Sequence, residues 1–513
     1  MSQGASHSGI GFHRPLCPDG REARAAECRE PCPERSRPFV LAVTIVASGM
    51  AFIDGTIVTI ALPALQTDLA AGFASLQWVV NAYALLLGGL ILIGGGAGDR
   101  FGRRRILLMG VAIFAAASLA CALAPSIGVL IGARAVKGIG AALLVPQSLA
   151  IIAAAYPKET RGRAIGIWAG ASAITIAMGP PLGGILIDTL GWRSVFWINL
   201  PLSACVIWLA LAHVPESRDE GARGPLDWPG GLMSVAAFGF LAVGLTLFAE
   251  SSGAIAIPAA LLALGAVGLV LFVSTEARAA TPLMPPSLFS NRVFSGANIL
   301  TLFLYGALSA VLFMLPFDLI ERRGLSATQV GLTLLPFGAI VGTLSRTAGD
   351  WADRRGPRQP LVVGSVLLAA AAAGMALGIE SYWLGVLVPV LLMSFAMAMV
   401  AAPLTTAVMN AAPDAQSGAA SGINNAVSRL AGLFAVAIVG AMASMVFFGA
   451  VDGAGSMTAG SRFGALPAPD DPARAVLEHA FRHAYAFAQG TAALWSLLAA
   501  WVAWLCIPTR RSD

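Results

Sequence analysis

One carboxylate, Asp54, stands in the otherwise uncharged run Phe52-Ile53-Asp54-Gly55-Thr56-Ile57-Val58-Thr59-Ile60-Ala61-Leu62-Pro63. Inserting an acid at the bilayer centre costs about 2.5–3.5 kcal/mol, so Asp54 is expected to face a central cavity. Desolvation disfavours the charged carboxylate, which suits Asp54 to binding and releasing a proton, to countering a cationic substrate, or to both in turn. Two cations interrupt a second apolar run, Ile131-Gly132-Ala133-Arg134-Ala135-Val136-Lys137-Gly138-Ile139-Gly140. A buried guanidinium needs acceptors, and a nearby carboxylate supplies them while tuning its own proton affinity. Lys137 places a second positive charge close to Arg134; it is expected to repel cationic substrates or to snorkel toward an interface. Asp54 and Arg134 are thus the candidate residues for proton coupling and substrate.

Other chemistry-bearing groups are weaker. Glu250 falls at the outer end of an apolar run, and Asp318, just after Pro316, reads as a solvated carboxylate at the outer mouth. His479 and His483 share one helix face, as two metal ligands would, but no third ligand is evident. Cys28 and Cys32, with His13 nearby, match no zinc module, and the six cysteines form no disulfide framework. No metal, no cofactor and no catalytic residue is expected.

The elements that hold these residues follow from composition. Of 513 residues, 57% are hydrophobic and 12% charged, against about 25% charged in soluble proteins. So little charge cannot cover a soluble surface, which excludes soluble enzymes, nucleic-acid binders and disordered scaffolds. Fourteen runs are long and apolar enough to span a bilayer. Of the 32 Lys and Arg, 23 fall in loops on the side of the N-terminal tail, six in opposite loops, and Arg134, Lys137 and Arg429 within spans. That bias puts both termini in the cytoplasm. Residues 1–37, rich in Arg, Pro, Glu and Ser, read as a disordered cytoplasmic tail rather than a cleaved signal.

The chain repeats itself. Gly95-Gly96-Ala97-Gly98-Asp99-Arg100-Phe101-Gly102-Arg103 lies between spans two and three, and Gly349-Asp350-Trp351-Ala352-Asp353-Arg354-Arg355-Gly356 between spans ten and eleven. Both read Gly-x-x-x-Asp-Arg-x-Gly, and Arg104 and Arg105 extend the first. Two six-span halves in parallel repeat are the signature of a rocking transporter. The expected organisation is a six-helix bundle at 38–213, a cytoplasmic linker at 214–229 and two extra helices at 230–274. A connection at 275–292, a second six-helix bundle at 293–508 with an outer loop at 449–486, and a tail at 509–513 complete it. The halves are chemically unequal, because the positions equivalent to Asp54 and Arg134 are Leu308 and Val388.

The Gly95–Arg105 segment resembles the signature of the major facilitator superfamily, and fourteen spans point to its drug:proton antiporter branch. The resemblance covers roughly residues 38 to 508. The Asp54 run resembles that branch's first-span motif, with Thr59 where Asn is usual. The Arg134 run resembles its proton-transfer motif, with Lys137 where Gln is usual. Gly170 and Met178-Gly179-Pro180-Pro181-Leu182-Gly183-Gly184 resemble the antiporter motif, in which prolines kink the helix and small residues seal the cavity. Gly191-Trp192-Arg193 resembles the entry to span six, where Arg193 is an outer anchor.

The resemblance implies an all-α, fourteen-span major facilitator fold. It further implies export of small, lipophilic compounds in exchange for protons, with Gly95, Asp99, Arg100, Gly102, Arg103, Asp353, Arg354 and Gly356 in the conformational switch. The expected setting is a bacterial cytoplasmic (inner) membrane. The expected partners are the bilayer, a small-molecule substrate and protons, with an outer-membrane efflux component as a further candidate and no nucleic acid. The rival readings are an importer of the same fold, a membrane-embedded transferase and a transport-inactive sensor.

Overall fold

The structure is a computed structural model that describes residues 33–219, 227–250, 255–279, 284–413, 416–451, 461–468 and 470–509. The expectations for the tail at 1–32, with Cys17, Cys28 and Cys32, for the linker centre at 220–226 and for the loop at 452–460 lie outside them. Every regular element among the described residues is helical. Fourteen helices are long and apolar enough to cross a membrane.

The first half comprises α1 (Arg37–Asp68), α2 (Phe73–Phe101), α3 (Arg103–Ala122), α4 (Ile127–Ala155), α5 (Lys158–Leu190), a short α6 (Ser194–Trp197) and α7 (Asn199–His213). An extra pair follows, α8 (Trp228–Glu250) and α9 (Ala256–Glu276), then a short α10 (Pro286–Phe289). The second half comprises α11 (Arg292–Phe317), α12 (Ala327–Arg355), α13 (Arg358–Ala376), α14 (Val388–Asn410), α15 (Ser417–Val451) and α16 (Arg474–Cys506). In each half the backbone starts helices on polar caps. The Ser126 hydroxyl accepts from the Val129 N–H, the Asn291 side chain from Val293 and Phe294, and Ser326 with Gln329 forms a capping box on α12.

Several helices run further than their apolar stretches. The tenth span, expected at 329–345, continues unbroken through Pro336 and Gly338 to Arg355. The two Gly-x-x-x-Asp-Arg-x-Gly repeats are therefore helix ends rather than loops. Only their last glycines break the backbone, Gly102 at φ 106° and Gly356 at φ 86°, which explains why both copies end on Gly. Likewise α15 reaches Val451 and α16 begins at Arg474, so both ends of the expected 449–486 outer loop are helix, the second including His479 and His483.

The halves meet along two seams, α5 against α12 and α2 against α15, as a twofold repeat requires. The extra helix α8 packs on both α2 and α15, with Phe238 against Phe434 and Leu85 near Gly239. On the side opposite the start of α1, here the outer side, the halves are tied together. The Asp188 carboxylate accepts from the N–H groups of Ala327 (3.2 Å) and Thr328 (2.7 Å) at the start of α12. Gln66 donates to the Phe463 carbonyl and Gln77 to that of Val436. Phe73 packs among Phe313, Phe317 and Phe463. Toward the inner side α5 and α12 part. Residues 166, 167, 169 and 170 of α5 and 342, 343, 346 and 347 of α12 are exposed.

Candidate functional site

The site is built on α4, whose small residues let it approach its neighbours closely. A Cβ on Gly138 would stand 2.6 Å from the Tyr83 carbonyl oxygen of α2, and one on Gly140 2.7 Å from the Phe114 nitrogen of α3. Arg134 and Lys137, three residues apart, share one face of α4.

Both cations converge on Asp54 of α1, which is 0% exposed. Arg134 donates to one carboxylate oxygen and Lys137 to the other. The Arg134 Nε also donates to the Val79 carbonyl at 2.9 Å, and its guanidinium lies 4.4 Å from the centre of the Tyr83 ring. The Tyr83 hydroxyl in turn donates to the Ala51 carbonyl of α1. The Lys137 ammonium sits 4.6 Å from the Phe114 ring and 5.0 Å from the Phe196 ring. The result is a closed triad of two cations and one anion, carrying one uncompensated positive charge inside the first half.

Three expectations change here. Asp54 does not face a central cavity in this conformation but points into the first bundle. Both of its oxygens are engaged, so it presents no free counter-charge to a cation. Lys137 neither snorkels nor stands apart from Asp54; it completes the triad at 0% exposure. Thr59, at the position where Asn was expected, turns its hydroxyl to the Thr56 carbonyl of its own helix, 2.7 Å away.

The glycine-proline run of α5 works at two surfaces. A Cβ on Gly179 would come within 2.2 Å of the Thr56 Oγ1, and one on Gly183 within 2.3 Å of Ile57, both on α1. On the other face a Cβ on Gly184 would meet the Ala327 carbonyl oxygen at 2.2 Å, while Gly331 lies against the Pro180 carbonyl. The run therefore joins the first half to the second near the outer side. The helix passes through Pro180 and Pro181 unbroken. Gly170 has open space around it and takes no part in this packing.

The repeated motifs sit at the inner ends of α2 and α12. Asp99 accepts from Arg103 at 2.7 Å, and Arg103 reaches the Ala150 carbonyl of α4. The Glu216 carboxylate, just after α7, accepts from the backbone of Arg104 and Arg105 and lies against Gly102. Gly98 admits the Gln147 side chain, which donates to the Gly94 carbonyl. Asp99, expected in the conformational switch, forms its ion pair with Arg103 of its own half. In the second copy Asp353 and Arg354 are exposed. The Arg354 side chain borders a cavity of about 360 Å³ with Thr347, Asp350, Trp351 and Arg355.

Two ionic clusters close the outer ends, and sequence reasoning placed neither. In the first half Asp68 accepts from Trp192 (2.8 Å) and Arg193 (2.9 Å), so Arg193 braces helix ends rather than merely anchoring at the interface. In the second half Asp318 is not a solvated loop acid. It is 1% exposed and accepts from Arg322 and Arg323, which continue to Glu380 and to the Ile379 carbonyl. Paired acid and base near span ends are the signal that would have revealed both. His479 and His483 lie exposed with their Nε2 atoms 3.0 Å apart. The Glu250 side chain lies outside the described residues.

Glu380 allows a pH prediction. Partial burial raises its carboxyl, but the Arg322 hydrogen bonds, with the charges of Arg482 and Arg323, outweigh that and hold it below the ordinary carboxylate range. A depressed acid stabilises the fold above its unfolded-state value and loses that contribution as pH falls through the folded one. Melting of the solubilised protein should thus show an acid-side decline that Glu380→Gln reduces, the variant melting slightly below the wild type at neutral pH and converging with it in acid. An unchanged acid limb in Glu380→Gln would show that the pair contributes nothing.

The Major Facilitator Superfamily family model matches residues 44–436. The chain belongs to that superfamily. Among its curated relatives is the multidrug resistance protein Stp of Mycobacterium tuberculosis, 36% identical over 405 residues that cover 78% of this chain and 75% of the relative. The tetracenomycin C resistance and export protein of Streptomyces glaucescens is 32% identical over 80% of this chain and 77% of its own. These relatives place the chain in the drug-efflux branch. A solved bacterial homologue of the human lysosomal transporter Spinster, in an inward-facing and unoccupied conformation, superposes with a TM-score of 0.68 at 17% identity. It covers 92% of this chain and 97% of its own, and supports the fold.

Proposed function

We propose that this chain exports small, lipophilic drugs or toxic compounds from the bacterial cytoplasm by alternating access, each cycle exchanging compound for protons. The protein sits in the inner membrane with both termini cytoplasmic, and the proton gradient drives it without a cofactor. The resistance and export relatives support the export of drugs; the buried Asp54–Arg134–Lys137 triad supports the proton coupling. An uncompensated charge removed from water is costly. The triad sheds its excess charge by losing one proton. The guanidinium does not deprotonate, and Asp54 already accepts from both neighbours. Lys137 is thus the group that gives up the proton, leaving a neutral Asp54–Arg134 pair. It recovers a proton when the site opens outward.

The triad's charge count carries this reading, and Lys137→Gln tests it. In everted vesicles under an imposed pH gradient, adding a transported compound should release protons, read with a pH-sensitive dye. Lys137→Gln removes the labile proton but keeps Asp54 paired with Arg134, so the protein should fold. Its compound-driven proton release should fall about 10²-fold or more, since the only remaining carrier is an ion-paired carboxylate. Proton release at the wild-type level in Lys137→Gln would return the proton to Asp54. No proton movement with any compound in the wild type would refute antiport.

A further inference from the structure

We infer that the space between the two halves binds organic anions and that Arg429 of α15 recognises their negative group. This rests on the export reading above and names its substrate class. A charged side chain well inside a span is costly and ordinarily pairs with another charge or with backbone. Arg429 breaks that pattern: among the described residues it has no ion pair and no hydrogen bond, and it is only partly buried. None of its nitrogens is sealed from open space.

Its surroundings place it between the halves. The close approach of α2 and α15 brings the Arg429 Cβ within 3.1 Å of where a Cβ on Gly88 would stand. The exposed Asn425 lies one turn earlier on the same face of α15. Arg429 and Asn425 thus offer a fork of donors suited to a carboxylate, sulfonate or phenolate.

Charge counting settles the sign. Among the described residues, Asp54 is the one carboxylate well inside a span, against Arg134, Lys137 and Arg429. Asp54 is fully used by the first two. Arg429 therefore leaves the space between the halves with one uncompensated positive charge, and the triad buried behind it in the first half adds none or one more, depending on the Lys137 proton. In a water-poor space such an excess attracts anions and repels cations. A site for cationic drugs would instead need a free carboxylate, and Asp54 does not supply one.

Two dyes of one xanthene skeleton and opposite charge, fluorescein and a cationic rhodamine, test this with the full-length protein in neutral detergent. Binding is read by fluorescence anisotropy, with no gradient present. Fluorescein should bind at least about ten-fold more tightly than the rhodamine, and Arg429→Gln should weaken fluorescein about ten-fold or more. Arg429→Lys, which keeps the charge, should recover most of the affinity, showing that the loss in Arg429→Gln is not misfolding. An anionic phospholipid headgroup offers the same chemistry. Adding phosphatidylglycerol to the micelles should displace fluorescein if lipid occupies the site, and leave it bound if a soluble anion is the ligand. Tighter binding of the rhodamine, or fluorescein binding indifferent to Arg429→Gln, would overturn the anion site while leaving proton-coupled export untouched. Fluorescein binding that depends on Arg429 in a protein with no compound-driven proton movement would uphold the anion site and overturn antiport alone.

Discussion

Asp54→Asn is expected to be the most damaging single substitution in the first half, abolishing transport and lowering stability by about 3–5 kcal/mol. The reason is what it leaves behind. Arg134 and Lys137 are both buried, at 1% and 0% exposure, and Asp54 is the carboxylate they share. Without it, two like charges face each other with only the Val79 carbonyl and the rings of Tyr83, Phe114 and Phe196 as partners. Removing one member of a buried charge group costs far more than removing the group, because the survivors stay desolvated. The double variant Asp54→Asn with Lys137→Gln should therefore be more stable than Asp54→Asn alone, although equally inactive. Thermal melting of the three proteins in one detergent checks this. If the single and double variants melt together, Lys137 is not energetically coupled to Asp54, and the charge account of the triad fails.

Much of this was legible in the sequence, and the reasons are uneven. The spans were readable because apolar runs of span length have no other use in so charge-poor a chain. Asp54 and Arg134 stood out because each is an ion inside such a run. The destination of Lys137 was not read, although its spacing of three from Arg134 already put the two on one helix face. Sequence shows that shared face but not which helix lies opposite it. Asp68 and Asp188 were missed, and Asp318 misread as solvated, for another reason. A polar residue near the end of an apolar run looks like the point where water begins. In the fold these acids cap or brace neighbouring elements: α12 by Asp188, the start of α6 by Asp68, the turn before α14 by Asp318 through Arg322 and Glu380. The glycines of α5 were correctly singled out, yet only the structure separates Gly184, which touches backbone of the other half, from Gly170, which touches nothing.

That distinction sets the second large effect. Gly184→Val is expected to cut transport about 10²-fold while leaving a folded protein, whereas Gly170→Val should transport nearly as the wild type. A Cβ at Gly184 would stand 2.2 Å from the Ala327 carbonyl oxygen and 2.6 Å from its carbon, both of them backbone, so no side-chain rotation relieves the overlap. Overpacking of this kind costs about 1–3 kcal/mol or more. The cost falls only on the state in which the outer ends of α5 and α12 meet, and with it the Asp188 cap of α12 is lost. The alternate state, with that seam parted, is not penalised. A bias of about 3 kcal/mol shifts such an equilibrium more than a hundred-fold, and a transporter held in one state does not turn over. Labelling of Thr328→Cys by a membrane-impermeant maleimide from the outer side should accordingly become fast in the Gly184→Val background and stay slow with Gly184 intact. Slow labelling in both backgrounds, with transport preserved, would mean that the seam absorbs the extra carbons. The close approach of α5 and α12 would then be incidental to the transport cycle.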